Sequence, residues 1–256
     1  MNQSDIDKVS ASAVSKYECL TKSPFTYMMR AIMAGFFIIV AVILSNVSAA
    51  VLYPTFPQFG KILGSILFPT AIILIVFIGG ELFTGNNMTM ALGFYEKKVS
   101  AKGMIAVWAM SYIGNFIGAF ILVYIYVKSG SSIPVLTEYL NAIVMPKLTI
   151  TPVEMILRGM LCNFMVCLAV YTNSKMQTES GKLVTMFMVI MAFVVAGFEH
   201  SIANMGTFSM TFTALGTGIS WSGVWLHMLL STLGNIIGGS ILLGLPIYLM
   251  IRPKKI

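Results

Sequence analysis

Glu199, His200 and Asn204 fall inside an apolar run that begins near Leu183 and ends near Leu215. Ionisable and amide side chains are costly in lipid, so these three are expected to face protein, a cavity or a bound solute. The same device occurs earlier. Gly80-Glu81-Leu82-Phe83-Thr84-Gly85-Asn86 repeats the Glu-x-x-x-x-Asn spacing of Glu199 and Asn204. His200 is one of two histidines, and an imidazole titrates near neutrality. Facing the hydroxyl of Thr84, it would suit binding of a small anion and exchange of a proton with it. The plainer role is to bond backbone groups freed by a helix break. Glu81 and Glu199 suit an anion path poorly as bare carboxylates. They are expected to tie broken backbone together, with Asn86, Asn204, Asn115 and Asn235 nearby.

The elements that must position these residues are long apolar segments. The chain has 256 residues, 57% hydrophobic and 10% charged, which excludes a soluble domain. Unbroken apolar runs exclude the alternating strands of a membrane barrel. The expected fold is an all-α polytopic membrane protein with six transmembrane helices. Residues 1–27 form a polar N-terminal segment whose apolar positions fall at helical intervals, as in a surface helix. That segment would anchor the chain at the membrane or act as a mobile gate. Residues 28–256 form the transmembrane domain, whose first span (about Met28 to Tyr53) is expected to serve as its own insertion signal.

Ile62 to Tyr95 would make a helix of roughly 50 Å, against a hydrocarbon core of about 30 Å. The Glu81–Asn87 cluster is therefore expected to break it. The fifth run is expected to break in the same way at Glu199–Asn204. Residues 128–149 read as a polar outer segment. Gly114-Asn115-Phe116-Ile117-Gly118 is echoed by Gly234-Asn235-Ile236-Ile237-Gly238, and Glu81 to Asn115 spans 34 residues against 36 for Glu199 to Asn235. The chain thus reads as two three-helix repeats, about 28–128 and 150–251, with broken second and fifth helices. An odd number of crossings per repeat makes them inverted.

The net charge of +7 follows topology rather than nucleic acid. Basic residues gather in the N-terminal segment, at Lys97, Lys98 and Lys102, at Lys175 and Lys182, and at Arg252, Lys254 and Lys255. All fall on one side of a six-crossing chain, which makes that side, with both termini, cytoplasmic. Lys147 and Arg158 fall on the other side. Either would snorkel or pair with Glu154, and Lys147 would alternatively concentrate anions at the outer mouth. His227, between Leu226 and Met228, reads as a packing residue. The cysteines have no metal spacing, so no cofactor or metal is expected. No span holds an aspartate, and HExxH, GxSxG and phosphate-loop motifs are absent. That leaves a transporter rather than an enzyme.

The stretches Gly80 to Asn86, Arg158-Gly159-Met160-Leu161-Cys162-Asn163 and Phe198 to Met205 together resemble the formate/nitrite transporter family, over the whole chain and most closely its hydrosulfide-channel branch. The resemblance implies an aquaporin-like protomer in a homopentamer in the inner (plasma) membrane. Each protomer would have its own pore for formate, nitrite or hydrosulfide. It implies His200 as the central histidine, Thr84 opposite it, Asn163 and Val166 as pore residues, and Lys147 as the basic residue before the fourth span. Phe68 and Phe193 would form the outer constriction, Leu82 and Phe83 the inner one. The asparagine-proline-alanine motif of aquaporins has no match. A neutral-solute facilitator of aquaglyceroporin type remains the alternative, separable by whether flux responds to membrane potential. A scaffold or sensor would leave the buried His200 unexplained.

Overall fold

In the computed structural model, which describes residues 3–215 and 219–251, every regular element among the described residues is helical. Helix α1 (Gln3–Lys22) is followed by α2 (Pro24–Leu52), α3 (Pro57–Leu67), α4 (Thr70–Ile78), α5 (Phe83–Tyr95) and α6 (Ala101–Lys128). The second half contains α7 (Ile133–Thr149), α8 (Pro152–Lys175), α9 (Glu179–Val195) and α10 (Ser201–Leu215). Helix α11 (Trp221–Ile237) then runs through a π segment (Gly238–Gly244) into α12 (Leu245–Ile251). Arg252, Lys254 and Lys255, expected to mark a cytoplasmic end, lie outside the described residues.

Local chemistry sets many of the starts. Pro24, Pro57 and Pro152 stand in the first turns of α2, α3 and α8, where a missing N–H costs nothing. Thr151 and Glu154 close a capping box on α8, Thr151 Oγ1 accepting from the Glu154 N–H and the Thr151 N–H donating to the Glu154 carboxylate. Arg158 pairs with Glu154 at 3.3 Å, one of the two outcomes expected for it.

The breaks lie where expected, with shifted edges. The first is Gly79–Leu82, and Asn86 and Asn87 already belong to α5. An interruption at Phe68-Pro69 separates α3 from α4. The second break is Ala196–His200. Gly79 and Gly197 take φ of +90° and +74°, and an added Cβ at either would meet nothing within 4 Å. These two glycines are needed for their backbone angle alone.

One expectation is modified: within residues 128–149, read as a polar outer segment, Ile133–Thr149 form α7, which buries Leu136, Leu140 and Val144 against the body despite an internal Pro146. The helix expected in the N-terminal segment is present and is held against the body. Helix α1 buries Ile6, Val9, Ala13 and Leu20, packs on α5, and pairs Asp5 with Lys175 at 3.0 Å.

The deepest packing is between α2 and α6 in the first half and between α8 and α11 in the second. Both crossings depend on absent side chains: a Cβ on Gly118 would strike the Ile32 carbonyl, and one on Gly238 the Met160 carbonyl. Gly118→Ala and Gly238→Ala should each therefore cost about 1–3 kcal/mol, read as an earlier thermal unfolding transition in detergent. An unchanged transition in both would mean that the helices are not held this closely.

Candidate functional site

Each break is bridged by one asparagine from a neighbouring helix. Asn115 on α6 accepts at Oδ1 from the Phe83 N–H (2.9 Å). Its Nδ2 donates to the Ala31 and Glu81 carbonyls (2.7 and 2.9 Å). Asn235 on α11 accepts from the Ser201 N–H and donates to the Gly159 and Glu199 carbonyls, all at 2.9 Å. The Glu81 and Glu199 N–H groups donate across to the Arg30 and Arg158 carbonyls. A break frees peptide groups that lipid cannot bond, and in both halves the asparagine bonds one such N–H and one such carbonyl and anchors to a carbonyl of a neighbouring helix.

The carboxylates sit beside these bridges, each focusing three polar groups on one oxygen. Glu81 Oε2 takes Lys16 Nζ at 2.7 Å, Asn86 Nδ2 at 3.1 Å and the Tyr27 hydroxyl at 3.3 Å. Glu199 Oε2 takes Lys147 Nζ at 2.6 Å and Asn204 Nδ2 at 2.9 Å, with His227 Nε2 at 3.2 Å. Both glutamates are buried, so each charge is matched where water cannot screen it. Lys147 is thus paired with Glu199, not with Glu154, and is not a free charge at the mouth. His227 is not a packing residue. It belongs to this cluster, and its Nδ1 also bonds the Lys147 carbonyl at 2.9 Å.

Three cavities follow one another between these clusters. The first, of about 520 Å³, opens beside α7 and is lined among others by Lys61, Lys147, Glu199 and Asn204, ending on Phe68, Phe193 and His200. The second holds only about 10 Å³, room for one water-sized body. It is lined among others by Phe68, Phe193, Val166, Ile72, Leu82 and His200. The third, of about 440 Å³, begins at Ile72 and Leu82 and widens past Glu81 and Lys16 toward α1. Shared walls put them in series. Phe68 and Phe193 meet edge to face with ring centroids 5.9 Å apart, narrowing one end of the small chamber.

His200 is the one imidazole on this line, common to the first cavity and the small chamber. Its Nδ1 accepts the Ala203 N–H at 3.1 Å, capping the first turn of α10. In the neutral ring the proton is therefore on Nε2, which meets Thr84 Oγ1 at 3.1 Å. Thr84 is fully buried and lines none of the three cavities, touching the line only through His200. There is no gap between the pair for an anion to rest in. Asn163 is also set back, its amide donating to Asn87 Oδ1 (2.9 Å) and the Asn235 carbonyl (2.6 Å). Phe83, expected at the inner constriction, turns from the line and packs edge-on against Tyr112, with centroids 4.9 Å apart. Leu82 alone of that pair lines the chamber.

Sequence reasoning missed Lys16, Tyr27 and His227. A lysine on the apolar flank of α1 and a lone histidine in a span were the available signals, but their partner carboxylates lie 65 and 28 residues away.

A family model for formate/nitrite transporters matches residues 3–249. The chain is 30% identical to the uncharacterized transporter YwcJ of Bacillus subtilis, over 95% of this chain and 96% of that one. It is 29% identical to the nitrite transporter NirC of Escherichia coli, covering 94% and 89% of the two. Among solved structures, an FNT family ion channel superposes with a TM-score of 0.90 at 26% identity, covering 97% of this chain and 99% of that one. A pentameric formate channel with formate bound gives 0.77 at 27%, covering 90% and 98%.

The ion pairs generate a stability prediction. Lys147→Met leaves Glu199 buried beside only polar partners and should cost about 3 kcal/mol or more. Adding Glu199→Gln removes the stranded charge and should recover most of that loss. Unfolding of the single and double variants in detergent reads both; additive losses would show that the two side chains do not interact.

Proposed function

The chain belongs to the formate/nitrite transporter family, and on that premise we propose that it is a channel for small monovalent weak-acid anions. Formate, nitrite and hydrosulfide are the candidates, with one path through each protomer of a homopentamer. The observation that carries this reading is the placing of His200. A single hydrogen-bond donor, Nε2–H, stands where a polar vestibule meets an apolar chamber with room for one water-sized body. The pentameric formate channel with formate bound supports the substrate class and the assembly. Lysines before the third span support a cytoplasmic α1 side.

A bare anion in a chamber walled by Phe68, Phe193, Leu82 and Val166 loses its hydration and gains little in return, a cost of several kcal/mol. Protonation removes most of it. The anion reaching His200 competes with Thr84 for the Nε2–H, so Thr84 acts by holding the ring and yielding the donor. A proton from the vestibule makes His200 imidazolium at the expense of the Ala203 bond, and the anion takes the Nε2 proton and becomes the neutral acid. Vestibule water then resets the ring, accepting the Nδ1 proton and supplying one to Nε2, so that Nδ1 again accepts from Ala203; the net change is one vestibule proton carried by the anion. The neutral acid passes Leu82 and ionises in the far vestibule. The anion of a weaker acid takes the proton more readily, so hydrosulfide should be favoured over nitrite.

Parallel flux into proteoliposomes tests this. Formate, nitrite and hydrosulfide should pass, faster at lower pH, and chloride should lag well behind. His200→Asn should flatten the pH dependence, while Thr84→Val should slow flux and keep it. Flux of glycerol with none of the anions would turn the reading to a neutral-solute facilitator. Cross-linking in mild detergent should stop at five protomers, and a stable dimer or tetramer would contradict the assembly.

A further inference from the structure

The two glutamate clusters match except at one place, and that exception is chemical. In the first cluster Tyr27 supplies a hydroxyl, which donates to Glu81 and accepts from Asn86 Nδ2 (3.3 and 3.1 Å) at the same time. One oxygen does both jobs with no change of protonation. In the second cluster the corresponding contacts are made by His227 Nε2. It lies 3.2 Å from Glu199 Oε2 and 3.2 Å from Asn204 Nδ2. A ring nitrogen cannot serve both. His227 Nδ1 faces the Lys147 carbonyl at 2.9 Å, which requires a proton on Nδ1. A neutral ring then accepts from Asn204 at Nε2 and turns a lone pair toward Glu199. A protonated ring donates from Nε2 to Glu199 and gives up the Asn204 amide.

We propose that His227 is a proton-responsive site that sets the charge of the α7-side vestibule. With His227 neutral, Glu199 and Lys147 cancel. With it protonated, Glu199 faces two cations, and the cluster flanking the His200 end of the vestibule carries one net positive charge. An anion arriving from that side is then drawn to the throat, whereas the Tyr27 cluster on the α1 side stays unchanged at the same pH. His227 itself is fully buried, but Glu199 and Asn204 line the vestibule, so protons reach the ring through the carboxylate it touches.

The neighbourhood contains few rivals. Helix α7 contributes Lys147, the exposed Glu138, and Tyr139 on the vestibule wall, where Tyr53 and Lys61 also stand, Lys61 adding a positive charge of its own. The second break contributes Glu199. Helix α8 contributes Cys162, within the field of Glu199 and Lys147, and the Arg158–Glu154 pair. No other charged or titratable side chain lies on α10, α11 or the π segment, and on α5 only Tyr95 at its far end. Phe208 of α10 stands edge-on to the ring with centroids 5.4 Å apart, holding its plane.

The flux consequence rests on the channel reading above; the ring chemistry does not. Ring-¹⁵N-histidine NMR on the full chain in lipid bilayers, between about pH 5 and 8, should show two imidazoles, one of them absent from His227→Tyr. That signal should convert from the Nδ1–H tautomer to imidazolium within the range. In proteoliposomes, lowering pH on the α7 side alone should raise nitrite flux at least three-fold more in the wild type than in His227→Tyr or His227→Gln. Tyrosine imports the solution used in the other cluster, and glutamine guards against a tyrosine that does not fit. A ring that keeps one protonation state in a conducting protein overturns this inference alone, as do variants that retain the wild-type response. A wild type that passes no nitrite, even with a titrating ring, sinks the channel reading and the flux consequence with it.

Discussion

A helix that breaks inside a bilayer exposes peptide groups to a medium with no water to bond them. The rest of this structure answers that constraint. Asn115 and Asn235 reach into the breaks from the third and sixth spans and bond a freed N–H and two carbonyls each. Because an asparagine is short, its parent helix must lie almost against the neighbouring one. Gly118 and Gly238 permit that approach at the two crossings. The duplicated Gly-Asn-x-x-Gly segments are therefore one unit of packing and polarity, not two separate signals.

The breaks also create the path. Each one stops a helix short and leaves backbone beside a cavity rather than a continuous apolar wall. Buried carboxylates stabilise these turns only when matched, and their lysines come from elements beyond the six spans: Lys16 from α1 and Lys147 from α7. The two amphipathic helices are thus part of the same device, each supplying one cation to one break. Between the matched charges, the small chamber is apolar apart from His200, and that contrast supports reading the chain as a channel for anions able to lose their charge on the way.

Much of this was legible in the chain. The Glu-x-x-x-x-Asn spacing, the two runs too long for one helix and the imidazole at Glu199-His200 are local patterns, and local patterns survive in sequence. What escaped depends on pairing at a distance. Helix α7 looks polar because Lys147 and Glu138 sit in it, yet Leu136, Leu140 and Val144 at helical spacing form a buried stripe. For Lys147 the local choices are snorkelling, pairing with Glu154 seven residues on, or an open place at the mouth, because nothing local points to a carboxylate 52 residues away. Phe83 beside Leu82 reads as a constriction, but Leu82 is the last, extended residue of the break and Phe83 the first of α5, and the two side chains leave the chain in different directions, so that only Leu82 meets the path. His227 resembled filler for the same reason: its three polar partners come from three other parts of the chain.

The central claim is that an anion crosses the apolar chamber as its neutral acid, at His200. Simultaneous recording of formate and proton movement into proteoliposomes, with the membrane potential clamped at two values, tests it most directly. The account predicts one proton moving with each formate and a rate insensitive to potential; a neutral-solute facilitator shares that insensitivity, so the proton count, not the potential alone, separates the two. Formate movement without protons, or a rate that follows the potential, would contradict it.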